Sequence, residues 1–243
     1  MKHANMTLPR WRDIVIAVVL ALPAFAASPA GAEGQTHTEA YQDSLARLES
    51  GQAEIEREMR RIYTGDVAHF DFLQFEHSEV LRHASALRHP PSLLRPEQRP
   101  ALVEQAERVL KAAESLEWPI ADFLRGHALV DSAVSNTIDI ADLAARDSGN
   151  ATRAVLQQLT AAALAFQADP SPVNLQTLTT AFAAVTPDTT PGEQPWRKEL
   201  AVQQQLLASG TKSSAAALAA VETASLANEV ESLVQLARLA NGS

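Results

Sequence analysis

Apolar residues return at alternating spacings of three and four along nearly the whole chain beyond residue 40, a rhythm that fits the 3.6-residue turn of an α-helix. Each apolar stripe must be buried against another stripe, so the pattern demands helices packed on helices. Abundant Ala, Leu, Glu and Gln favour the same backbone. The fold class expected is all-α: an up-down helical bundle, with four helices in the N-terminal part, followed by additional Ala-rich helices.

The punctuation sets the elements. Tyr41, Leu45, Leu48, Ile55, Met59 and Ile62 mark a first helix that Gly65 ends. A second runs from about Asp66 to Arg88, where Pro90-Pro91 stops it. The stripe Leu102, Ala106, Val109, Ala113, Leu116 gives a third between Glu97 and Glu117. Pro119 suits the first turn of a fourth, which reaches about Ala145 before Asp147-Ser148-Gly149-Asn150; one long helix kinked at Pro119 is the alternative. Two shorter helices follow on either side of Asp169-Pro170-Ser171-Pro172. After the turn-rich stretch Pro187 to Pro195, a helix near Trp196 to Ala208 and a last one holding Leu226, Val230, Leu233, Ala237 and Ala240 complete the chain.

Residues 1–32 have the layout of a secretory signal: Lys2, Arg10 and Arg12, the apolar run Ile14 to Leu22, then small residues. That run is too short to span a bilayer. Cleavage is expected after Ala32 in Ala30-Gly31-Ala32, or failing that after Ala26, leaving a periplasmic or secreted protein with no membrane span. Processing removes three basic side chains and one acidic one, so the formal net charge of −9 becomes more negative still. Nucleic acid is therefore not an expected partner. With no cysteine, disulfides, thiolate zinc sites, iron–sulfur clusters and covalent haem attachment are excluded. Every histidine beyond the leader lies between His37 and His127, and residues 33–149 are read as a helical bundle carrying any ligand site. Residues 150–243 are read as an Ala-rich helical region, either a second bundle or a layer packed on the first.

Two histidines fall on apolar stripes: His77, with Phe70, Leu73, Leu81 and Ala84, and His127, with Phe123, Val130 and Val134. A buried imidazole needs a partner. If the first four helices form one bundle, the second and fourth start at the same end, and His77 and His127 lie within ~5 Å of the same depth at ~1.5 Å rise per residue. Asp131, one turn beyond His127, and Glu76, beside His77, would complete a His/His/carboxylate set. Such donors suit zinc, copper or iron, with haem b as a further option. His69, Glu76 and His83, spaced by seven, form a flank that is either a secondary metal site or a solvated polar edge. Met59 is either a soft ligand or a core filler. Gly126, costly within a helix, marks a close approach by a ligand or a neighbouring helix.

Arg82, Arg88, Arg95 and Arg99, with His83 and His89, surround the Pro90-Pro91 turn as a basic tip that would suit an acidic protein partner. No nucleophile elbow, phosphate loop or dinucleotide fingerprint is present, so no catalytic class is nominated and the chain is read as a non-enzyme. The leading expectation is an exported helical protein binding a transition metal through His77, His127, Asp131 and Glu76. The alternative is a ligand-free helical interaction or adaptor module whose core histidines are satisfied by hydrogen bonds. In architecture the chain is similar to periplasmic b-type and c′-type cytochromes, without the attachment motif of the latter.

Overall fold

The computed structural model describes residues 29–66, 70–92, 94, 96–185 and 195–240. Residues 1–28, with most of the expected secretory signal, His69, Arg95 and most of the Pro187 to Pro195 stretch lie outside them. The described residues form α1 (Pro29–Tyr63), α2 (Asp71–Ala86), α3 (Arg99–Glu114), α4 (Glu117–Arg146), α5 (Asn150–Ala168), α6 (Pro172–Val185), α7 (Pro195–Glu222) and α8 (Leu226–Ala240), with a single 3₁₀ turn at Pro96–Gln98 before α3. The all-α expectation holds.

Helix ends follow the local chemistry. Gly65 takes φ +81° just past α1, and the Gly65 and Asp66 amides donate to the Ile62 and Arg61 carbonyls at 3.0 and 2.8 Å. That is the paired capping of a left-handed C-terminal residue, which glycine adopts without the Cβ penalty. The chain breaks between α3 and α4 at Ser115-Leu116, so Pro119 sits in a first turn and kinks nothing. The largest departure is α7. The sequence reading stopped it near Ala208, but it continues through Ser209-Gly210 to Glu222.

The helices close into two rings. In one, α1 packs on α2, α2 on α3, α3 on α8 and α8 on α1; in the other, α4 packs on α5, α5 on α6, α6 on α7 and α7 on α4. The fourth helix of the N-terminal ring is thus α8, from the far end of the chain, and not α4. Buried Gln52 and Gln105 help hold it there. The Gln52 side-chain amide donates to the Val221 carbonyl at 2.8 Å and accepts from the Ala227 amide at 3.0 Å, while Gln105 donates to the Glu229 carbonyl at 2.8 Å.

The two cores meet along α4 and α7. Ile120 and Phe123 of α4 share a core with Leu48, Ile55, Leu73 and Val109, and with Ala217 and Val221 of α7. Further along α4, Val130, Val134 and Ala141 join Leu159, Phe166, Phe182 and Leu200 instead. The boundary between cores therefore falls inside two helices, whereas the sequence reading drew its line at 149/150. Pairings of Phe123 with Ser214 and Asn136 with Gln203 show that α4 and α7 run antiparallel. At their crossing, a Cβ built on Gly126 would stand 2.5 Å from Ser214 Oγ and 2.8 Å from the Gly210 carbonyl oxygen. The close approach at Gly126 is by a neighbouring helix.

Candidate functional site

The four residues expected to share one ion are divided among three places. His77, buried on α2, reaches Ala113 of α3: its Nε2 lies 3.1 Å from that carbonyl oxygen. A carbonyl only accepts, so Nε2 carries the proton and donates. Glu76, only 1% exposed, is ion-paired with Arg47 of α1, which also holds Glu54 at 2.6 Å. Both groups have the partner that burial requires, and neither partner is a metal.

His127 and Asp131 stay together, elsewhere. Because α4 departs from the N-terminal ring to pair with α7, equal depth along α2 and α4 does not bring His77 and His127 to a common point. The His127 ring instead packs 5.2 Å from Phe70 and 6.4 Å from Phe123, centroid to centroid. Its Nε2 stands 3.6 Å from Asp131 Oδ2. Among the described residues no three His, Asp or Glu side chains are placed to hold one metal ion.

Of the secondary candidates, Met59 is fully buried beside Ile55 and Ile62, as a core filler would be. His83 Nδ1 lies 3.1 Å from Ser44 Oγ and its Nε2 is 2.6 Å from Arg82 Nη2. An arginine only donates, so Nε2 accepts and the ring is neutral with its proton on Nδ1. Burial first, and then the Arg82 charge, hold its pKa below the usual histidine range. His69 lies outside the described residues. The basic tip is largely spoken for: Arg82 pairs with Glu79, Arg88 with Glu107, and Arg99 donates to the Ser92 and Leu94 carbonyls.

What the structure adds is a cleft of about 340 Å³ where the two rings meet. Ile62 and Gly65 of α1 and the following turn, Phe70, His127, Val130, Asp131 and Val134 of α4, and Phe166, Gln167 and Pro170 around the end of α5 line it. One end is shut by contact between turns, since a Cβ on Gly65 would fall 2.3 Å from Pro170 Cδ. The walls are mostly aliphatic and aromatic, with three polar side chains, as small-molecule sites usually are. Of this lining, only His127 and Asp131 are among the site residues that the sequence nominates. Phe166 and Gln167 had no local signal, because only the packing of α5 on α4 carries them to His127.

No family model, curated protein or solved structure matches the chain.

Proposed function

We propose that the protein is an exported, non-catalytic helical binding protein whose ligand occupies the cleft between the two rings. Export rests on the charged, apolar and small-residue order of positions 1–32. Binding rests on one observation: an apolar recess of about 340 Å³ has His127, Asp131 and Gln167 as its polar lining. A metal ion there would find two adjacent protein donors, His127 and Asp131, where tight zinc sites use three or four. Small-molecule recognition asks less of the site and uses its apolar walls as well.

The neutral amphiphile phenylbutanol provides the test. Titrated into isotopically labelled protein, it should shift the amide resonances of Val130, Asp131, Val134 and Gln167 together, with one dissociation constant. Shifts absent from these residues, or spread without saturation over the surface, refute the cleft as a site. A zinc titration of the same sample should leave the His77 imidazole signals unmoved; stoichiometric uptake that requires His77 would restore the four-donor metal site and overturn this reading.

Phe72 and Phe75 favour a second reading, an interaction module. They sit on the outer face of α2, 42% and 58% exposed, spaced as helix-in-groove anchors are. Phe75→Ser would then abolish capture of a partner while leaving phenylbutanol binding intact.

A further inference from the structure

We propose that the cleft selects ligands with an apolar body and a protonated amine head, an inference that rests on the cleft being a binding site. The head group is specified by the geometry of its acceptors. Asp131 Oδ2 and His127 Nε2 are 3.6 Å apart, beyond hydrogen-bond reach of each other, so neither satisfies the other when the imidazole is neutral. A single nitrogen placed between them lies within reach of both. An ammonium has three donors and no acceptor, so it fits a pair of lone-pair donors that an anion or a carbonyl would not. Gln167, in the same lining, carries a side-chain amide whose oxygen is able to accept as well.

Charge and position point the same way. Among the described residues Asp131 is the one in the lining with a fixed charge, and its side chain is 62% exposed. The protein is acidic as a whole, formally −9, and so draws cations toward its surface. Deeper in, Ile62, Val130, Val134 and Phe166 offer apolar contact to the body of the ligand. The Phe70 ring, also in the lining, packs on the imidazole at 5.2 Å, centroid to centroid.

Three probes with one body and different heads separate the outcomes: phenylbutylamine, phenylbutanol and phenylbutyrate, each titrated by calorimetry and amide shifts into the intact processed protein. The amine should bind about fivefold more tightly than the alcohol, and the carboxylate about fivefold more weakly, the scale of a half-exposed ion pair. Asp131→Asn should remove the amine's advantage over the alcohol. Gln167→Arg, at an exposed position where folding is not at risk, should reverse the order of amine and carboxylate. Equal binding of all three probes, or an amine preference that survives Asp131→Asn, overturns the amine assignment while the cleft remains a site. Failure of all three to bind overturns the cleft itself.

Discussion

Gly126→Ala tests the crossing on which the whole arrangement of rings depends. In an isolated helix the substitution would stabilise by about 1 kcal/mol, because alanine loses less backbone freedom and shields the helix better. Here the added methyl would sit 2.5 Å from Ser214 Oγ, 2.8 Å from the Gly210 carbonyl oxygen and 2.9 Å from the Ser214 nitrogen. Two of these obstacles are backbone, so a side-chain rotation cannot clear them and α4 and α7 must separate by most of an ångström. Overpacking of this kind costs ~1–3 kcal/mol, and rigid obstacles put it at the upper end. The net effect should be a loss of about 2 kcal/mol, or roughly 4–8 °C in melting temperature for a chain of this size. Urea and thermal unfolding followed by circular dichroism measure it. Gly51→Ala is the informative comparison, since its added methyl meets only Val80 Cγ2, at 2.6 Å. Its loss should be partly recovered in the double variant with Val80→Ala. Ser214→Ala should recover little in the Gly126→Ala background, because the Gly210 carbonyl remains in the way. A Gly126→Ala protein that melts at or above the parent would mean that α4 and α7 do not touch there.

Tyr41 is buried with a hydroxyl that has no hydrogen-bond partner among the described residues, and burial pushes its pKa up to about 12, so Tyr41→Phe should be neutral or stabilising by up to ~1 kcal/mol. Between about pH 10 and 12 the unfolded phenol ionises while the folded one resists, so the parent should lose stability there and Tyr41→Phe should not; alkaline urea titrations distinguish them. The depressed pKa of His83 has the opposite sense: below about pH 6.5 the unfolded ring takes up a proton that the folded one refuses, so stability should fall with pH, and His83→Gln should flatten that slope in unfolding curves at pH 5 to 7. A fragment of residues 33–149 lacks Val221, Leu226, Val230 and Leu233, which are all buried in the first core, and should not unfold cooperatively; a sharp urea transition would show instead that the division at 149/150 marks an independent unit. Intact mass of the exported protein should place its first residue at Glu33, or at Ala27 if the earlier site is used, and retention of Met1 would defeat the export reading.

The elements were readable because each rests on local chemistry. The stripe spacing, Gly65 and Pro90-Pro91 act within a turn or two of their own positions, and the helices began and ended close to where those residues placed them. The extent of α7 was not readable. Ser209-Gly210 looks like a stop, and what overrides it is Gly126, 84 positions away in the chain, which makes a residue without a side chain useful there. The order of packing was hidden for the same reason. Nothing near residue 117 says that α4 leaves its sequence neighbours, so a depth count that assumed sequential packing set His77 beside His127. The inward direction of both rings was legible from periodicity, but the partners that satisfy them were not. Ala113 presents only a backbone carbonyl, which any residue would have presented, and Phe70 meets His127 from the edge of a separate helix.

Placement of α8 has a consequence for the order in which the chain can be made. The first three helices leave the ribosome well before the last, and they wait for it: contacts such as Gln52 with Ala227 of α8 join residues 175 positions apart. Closing loops of that length comes late and slowly. During synthesis the emerging N-terminal half therefore has apolar faces without their final cover, and its native ring cannot lock before α8 has been made.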